Sequence, residues 1–218
     1  MRYLGYEFSS DNKDEHHLKK RKLKANAALA KLNLLEINTD RPNPHMKGQL
    51  FKVFIRPVLY YGLENVFIQK ITLNLIKRID GNLLKRIFAL PTRCHYTDLQ
   101  IALDIKPVSE VVKKMKLEFY LRLTGNTYTR DLLLETSGEL CRDDLLSEII
   151  NHIDEVDDPI VQCQTTTIEK IKAINYVMDV NSKTRKLGNE NVAIIKKNIF
   201  ANKNRCNITN ELFNILKF

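Results

Sequence analysis

Paired aspartates are what a two-metal phosphoryl-transfer site requires. Such a site holds two divalent cations about 4 Å apart, to activate the attacking hydroxyl and stabilise the leaving phosphate. The chain has two Asp-Asp pairs, Asp143-Asp144 after Cys141-Arg142 and Asp157-Asp158 between Val156 and Pro159. The first reads as helical and the second as a turn, and both read as solvated acids. The histidines are His16, His17, His45, His95 and His152. None accompanies a glycine-flanked serine or a cysteine in a nucleophile setting, and His16-His17 read as surface residues at the start of a basic helix. Cys94, Cys141, Cys163 and Cys206 form no CxxC pair, so a zinc knuckle is not indicated and reduced thiols are expected. There is no Gly-x-x-x-x-Gly-Lys loop and no Gly-x-Gly-x-x-Gly turn. No catalytic residue and no metal ligand is therefore expected in this chain.

Charge says more. The 218 residues carry a formal net charge of +9. Residues 1–56 have 12 Lys/Arg against 6 Asp/Glu, and residues 57–125 have 11 against 6. Residues 126–160 reverse the sign, with 2 against 10, and residues 161–218 return to 10 against 4. A basic body followed by an acidic block suits a polyanionic partner, because each Lys or Arg that meets a phosphate releases condensed counterions. No apolar stretch approaches the ~18–20 residues of a membrane span, and no apolar region follows Met1 as in a signal peptide. Without such a signal, the sequon Asn207-Ile208-Thr209 reads as chance. An intracellular location, cytoplasmic or nuclear, is expected.

Periodicity supplies the elements. Tyr3 to Phe8 reads as one short strand. A helix capped by Asp11 or Asp14 runs to about Glu36, with Leu18, Ala25, Leu29 and Leu32 on one face. Lys13, Lys20, Lys24 and Lys31 gather on another face of it. Arg41-Pro42-Asn43-Pro44 breaks the chain. A second helix spans about 45–61, with Met46, Leu50, Val53, Phe54, Val58 and Tyr61 as its stripe. Pro57 should kink it near Val53, and Gly62 should end it. A third runs about 69–89, with Ile71, Leu75, Ile76, Ile79, Leu83 and Ile87 inward and Lys70, Lys77, Arg78 and Lys85 on another face, until Pro91 stops it. A short helix capped by Thr97 follows to about Leu103. Another opens at Pro107 and runs to Leu123, with Val108, Val111, Val112, Met115 and Phe119 inside. Residues 125–137 read as a looser boundary. Beyond it, helices are expected near 139–155, 166–180 (with Ile168, Ile171 and Val177 inward), 191–200 and 209–217. The fold class is mainly α: a helical bundle at 1–125 with one short N-terminal strand, then a second helical segment at 126–218.

Three stretches carry a family resemblance: Tyr3-Leu4-Gly5, Ile55-Arg56-Pro57-Val58-Leu59-Tyr60-Tyr61-Gly62, and Leu90-Pro91-Thr92-Arg93-Cys94-His95-Tyr96-Thr97-Asp98-Leu99. Their order resembles the end of a reverse transcriptase from a non-LTR, LINE-like retrotransposon, over roughly residues 2–123. The resemblance implies that Tyr3, Leu4 and Gly5 form a hairpin beside the primer end. It implies that the helices at 13–36, 45–61 and 69–89 are a thumb that grips the template–primer duplex. A thumb holds phosphates and sugar edges, because the deep groove of a hybrid duplex offers little sequence to read. The row Lys13, Lys20, Lys24 and Lys31, a second row Lys70, Lys77 and Lys85, and Arg93 are then the nucleic-acid contacts. Arg93 could equally cap the last helical carbonyls. Arg56-Pro57 and Tyr60-Tyr61-Gly62 read as architectural. The catalytic palm of such enzymes, with its aromatic-x-Asp-Asp hairpin and Mg²⁺, precedes these landmarks. Neither Asp-Asp pair here has an aromatic residue two places before it, and both fall after the Tyr-Leu-Gly landmark. The resemblance thus implies a truncated polymerase tail, partnered in an intact parent by a palm and an RNA–DNA or DNA duplex, with 126–218 as a variable extension. The rival reading is a helical protein–protein adaptor with no nucleic-acid role. Primer extension on poly(A)–oligo(dT) with Mg²⁺ or Mn²⁺ should give only background. Extension abolished by Asp143→Asn or Asp157→Asn would overturn both the absence of catalysis and the reading of the fold.

Overall fold

A computed structural model describes residues 2–3, 6–7, 15–39, 42–136, 145–156, 158–162, 164 and 166–184. The described chain is mainly helical. The helices expected at 191–200 and 209–217 lie outside the described residues, as do Asp143, Asp144 and Asp157. The single strand expected over Tyr3–Phe8 is not formed as such. A two-residue ladder stands there instead, with β1 (Arg2–Tyr3) antiparallel to β2 (Tyr6–Glu7) and Tyr3 opposite Tyr6.

The described helices fall into two compact units. The first comprises, among the described residues, 2–3, 6–7, 15–39, 42–61, 70–108 and 184. Its helix α1 (Glu15–Asn33) is rich in Ala, Leu and Lys, which lose little freedom in a helix. Leu18, Ala25, Leu29 and Leu32 are buried, as their spacing requires. The helix stops three residues earlier than expected, because Glu36 takes a left-handed φ of 56° and folds Ile37 back into the core. His17, expected at the surface, is buried, with Nε2 3.0 Å from the Tyr61 carbonyl oxygen.

Asn43 opens α2 (Pro44–Leu50) by accepting the His45 N–H at 2.8 Å, with Pro44 in the first turn where no helical N–H is needed. A π-helical turn, Phe51–Ile55, joins α2 to α3 (Arg56–Tyr60). Pro57 has no N–H for the Val53 carbonyl, and the Arg56 N–H reaches five residues back to Phe51. The kink expected near Val53 is therefore a widened turn centred on that residue. Gly62, at φ 84°, ends the run.

The buried face of this run is not the expected one. Lys47, Gly48, Phe51, Ile55, Arg56, Leu59 and Tyr60 point inward. Met46, Val53, Phe54 and Tyr61 are 49%, 61%, 50% and 47% exposed. The sequence offers two apolar faces here, and polar pairing and fit choose between them. Gly48 lets Leu103 approach so closely that an added Cβ would lie 3.4 Å from Leu103 Cδ2. Arg56 meets Asp80 of α4 (Lys70–Ile87): Nε donates to Oδ1 at 3.1 Å and Nη2 to Oδ2 at 2.8 Å. Tyr60 donates to Oδ1 at 2.6 Å, and Tyr96 donates to Oδ2. Gln100 of α5 (Thr97–Ala102) donates to the Tyr96 oxygen at 2.8 Å. Burial disfavours the Arg56 charge, but the Asp80 carboxylate outweighs that cost and holds its pKa above the ordinary value. Burial first, then Asp80, pushes the Tyr60 and Tyr96 phenols up, so both remain donors.

Two helix ends in this unit close alike. Ala89 and Asp104 take left-handed φ values of 53° and 56°. Leu90 N–H then reaches Lys85 O at 2.9 Å, and Ile105 N–H reaches Gln100 O at 2.8 Å, satisfying carbonyls the helices leave open. Tyr96, not Thr97, is the N-cap position of α5. Along α4, Ile76, Ile79, Leu83, Leu84 and Ile87 are buried, whereas Ile71 is 80% exposed.

The second unit takes residues 62–69 and, among the described residues, 109–136 and 145–183. The compact units do not follow the division expected at 125/126. Of the segment 125–137, read as a loose boundary, the described residues 125–136 are helical or turn: Asn126 accepts the Tyr128 N–H at 3.0 Å and opens α7 (Thr127–Thr136). From Ser109 onward, α6 (Val108–Gly125) belongs with α8 (Leu145–Asp154), α9 (Pro159–Gln162) and α10 (Thr167–Thr184). Their core is Leu117, Ile149, Ile153, Val161, Ile171 and Ile174. Met115 and Phe119, expected inside α6, are only half-buried, and Ile168 is 41% exposed. Lys116 is fully buried and donates to Glu148, which also takes the Ile68 N–H at 3.2 Å. Burial raises the Glu148 pKa, but hydrogen bonds from His152, Lys116 and Ile68 outweigh it and hold the carboxyl below its usual range.

Removing the Asp80 carboxylate would leave the Arg56 guanidinium buried without its counter-charge. Asp80→Ala should lower unfolding stability by about 3–5 kcal/mol. Tyr96→Phe, which removes one hydrogen bond to a charged group, should lower it by about 1.5–3 kcal/mol. Urea unfolding followed by circular dichroism measures both, and equal, small effects would refute the central place of Asp80.

Candidate nucleic-acid interface

Among the described residues the expected contacts fall on β1, α1, α4 and the turn after Pro91, all in the first unit. Lys20, Lys24 and Lys31 lie exposed along α1. Helical geometry of 3.6 residues per turn puts them in one line, well away from Leu18 and Leu29 but bordering the buried His17 and Arg21. Lys13, Leu4 and Gly5 lie outside the described residues, and Tyr3 lies in β1. From Lys20 to Lys31 the line is roughly 16 Å long at 1.5 Å per residue. One strand of a B-form duplex presents about five phosphates over that distance.

On α4 the second row divides. Lys70 and Lys77 are exposed, but Lys85 is buried, and its ammonium donates to the Thr92 carbonyl at 2.7 Å. Lys85 thus ties the end of α4 to the turn that follows Pro91. Arg93 is exposed in that turn. The last α4 carbonyls, which Arg93 could have capped, are met by backbone N–H groups: Leu90 N–H bonds Lys85 O at 2.9 Å and Ala89 N–H bonds Arg86 O at 3.2 Å. Cys94, beside it, is a buried free thiol, and burial, opposed in part by Lys85, raises its pKa. A thiol held protonated is a poor nucleophile. Among the described residues no group of three or more His, Cys, Asp or Glu side chains is placed to hold a metal ion. No described helix is long and apolar enough to cross a membrane.

Sequence reading missed the residues that fix this surface. The Arg21 guanidinium, buried, lies 4.1 Å from the centroid of the half-exposed Tyr61 ring. Its Nε is 3.3 Å from His17 Nε2, one turn back on α1; that nitrogen either accepts from Arg21 or donates to the Tyr61 carbonyl, according to its tautomer. Asn26 donates to the Lys22 carbonyl at 2.9 Å and accepts from Arg86 of α4 at 2.5 Å. These contacts hold α1 to α3 and to α4 on different sides. The signal was local and ambiguous: His17 and Arg21 are four apart, so they share a face, but within Lys19-Lys20-Arg21-Lys22 every residue reads as solvated.

The arrangement can supply exposed point charges along one helix on a rigid support. That is the chemistry of phosphate contacts, which fix position without reading sequence. Lys85 belongs to the support. Lys85→Ala should cost about 1.5–3 kcal/mol in thermal unfolding, the range for a hydrogen bond made by a charged group. Its affinity for nucleic acid, measured where the variant is folded, should equal that of the parent; a loss of binding without a loss of stability would return Lys85 to the contact surface.

No family model, no curated protein and no solved structure matches the chain.

Proposed function

We propose that this chain is the duplex-holding portion of an RNA-directed DNA polymerase of the non-LTR retrotransposon type, without catalysis of its own. In this reading the first unit is a thumb, the second is an extension, and the Mg²⁺-bearing palm of the parent enzyme supplies the chemistry. Its location is wherever that parent works, the cytoplasm or the nucleus. The observation that carries the reading is the exposed line Lys20, Lys24 and Lys31 on α1. The three resembling stretches, in order, support it as well. Asp80 gives the central stretch a physical reason: Arg56 and Tyr60 of the Arg-Pro-x-x-Tyr run both bond its carboxylate. The adaptor reading is favoured by one observation, the exposed apolar face of Met46, Val53 and Phe54.

Binding to a blunt RNA–DNA hybrid, measured by fluorescence anisotropy over a range of salt, separates the two. Hybrid binding should be weak and indifferent to sequence. Lys13, Lys20, Lys24 and Lys31 together should contribute roughly −3 to −4 to the log–log salt slope, at about −0.9 per phosphate contact. Replacing all four with Gln should remove that part of the slope without unfolding α1, since Gln and Lys have similar helix propensity. A quadruple variant that keeps the parent slope and affinity would make the row a solvated face and favour the adaptor.

A further inference from the structure

We propose that the α4 ridge Lys70, Asn74, Arg78, Asn82 and Arg86 reads the RNA strand of a duplex through its 2′-hydroxyls, with Asn74 and Asn82 as the reading groups. The proposal rests on the duplex reading and adds to it a discrimination of RNA from DNA.

The five residues stand four apart in one uninterrupted α-helix, and all five are exposed. Residues four apart make a continuous ridge on a helix surface. At 1.5 Å per residue, neighbours are roughly 6 Å apart and the ridge is roughly 24 Å long. Side-chain types alternate along it: cation, amide, cation, amide, cation. Lys77, three residues after Asn74, is exposed on its flank.

Charge selects the occupant. Helix α4 carries Lys70, Lys77, Arg78, Lys85 and Arg86 against the single acid Asp80. Asp80 is buried and bound by Arg56, Tyr60 and Tyr96. The exposed face of α4 therefore carries cations and amides and no carboxylate. Such a face complements a polyanion.

The ridge is also held in place. Arg78, two residues before Asp80, lies nearly opposite it at 3.6 residues per turn. The bonds that fix the Asp80 carboxylate inward thus fix the ridge outward. At the far end, Arg86 donates to Asn26 of α1 at 2.5 Å. That contact ties the ridge to the helix that bears Lys20, Lys24 and Lys31.

The amides separate this ridge from a plain row of charges. Lys and Arg only donate, and phosphate contacts carry no information about the strand. An Asn amide both donates and accepts, and so does a 2′-hydroxyl. An A-form duplex displays those hydroxyls across a wide, shallow minor groove. Lys70 and Arg78 then hold phosphates while Asn74 and Asn82, on either side of Arg78, meet the sugar edge. Helix formation does not explain the amides, since Asn is among the weaker helix formers, and both lie outside the core.

The test uses the full chain and three blunt duplexes of one sequence: an RNA–DNA hybrid, the all-DNA duplex, and the hybrid with 2′-O-methyl groups on its RNA strand. The parent should prefer the hybrid to the DNA duplex by roughly tenfold, the order of two neutral hydrogen bonds. Methylation removes the hydroxyl donor and should remove most of that preference. Asn74→Ala with Asn82→Ala should bring hybrid affinity down to that of the DNA duplex. Alanine is the better helix former, and circular dichroism checks that the helix is kept. Arg78→Gln should weaken both duplexes alike and take about 0.9 from the log–log salt slope. If the parent binds hybrid and DNA duplex equally, the inference is refuted and the duplex reading stands. A preference that survives the double alanine variant arises elsewhere and also refutes it. A preference lost with the alanines but kept after methylation would mean that the amides sense shape, and the hydroxyl contact falls. Arg78→Gln without effect on affinity or slope would make the ridge a solvated face and overturn the proposal. If no duplex binds, both readings fall.

Discussion

A buried carboxylate must have its lone pairs filled, and Asp80 organises the first unit around that requirement. A carboxylate offers about four acceptor sites. Arg56 fills two, Tyr60 one and Tyr96 one. The donors come from α3 and from the turn before α5, and Gln100 of α5 orders the last of them. One oxygen pair therefore sets the rotation of α3, the position of the Tyr96 turn and the approach of α5. Gly81 admits this packing, since a Cβ there would lie 3.4 Å from Tyr96 Cγ. Such an ion pair adds little over a well-packed apolar replacement. Its effect is selective: any other rotation of α3 would strand a charge.

That selectivity explains where the sequence was legible. On α1 most of the large apolar residues share one face, with Leu23 the exception outside it, so the 3.6-residue period identified Leu18, Ala25, Leu29 and Leu32 directly. Pro57, Gly62 and Pro91 act through backbone geometry, which is local, and the π turn and the helix ends fell where they pointed. The α2–α3 run defeated the same method because it has apolar residues on two faces. Met46, Leu50, Val53 and Phe54 have a good period, and so do Phe51, Ile55 and Leu59. The choice between them rests on Arg56 meeting a carboxylate 24 residues away, which no window of local sequence contains.

The basic residues divide by the same logic. A helical wheel groups Lys70, Lys77 and Lys85 but does not say which ammonium meets water. Lys85 reaches a carbonyl in the next turn and is buried, whereas Lys70 and Lys77 remain outside. Lys116 in the second unit is the extreme case, fully buried beside Glu148. Charge runs identify candidate contact surfaces only after such structural lysines are subtracted. Lys20, Lys24 and Lys31 of α1 remain exposed and form a line along that helix.

The rotation imposed at Asp80 also decides what the first unit shows to solvent. Facing Arg56 inward turns Val53, Phe54 and Tyr61 outward. Each large side chain left in water forgoes roughly 1.5–3 kcal/mol that full burial would give. The Gly62 turn, immediately after, leaves Tyr61 as the last residue of the run, where its carbonyl is open to His17 and its ring lies over Arg21. The contact that fixes the ring and the lysines that flank it thus sit on one helix, α1. An aromatic edge and a line of cations are coupled through Arg21, which touches the first and is embedded in the sequence of the second. A change that loosens Asp80 would therefore misplace the aromatic face relative to the lysines before it removed any exposed charge.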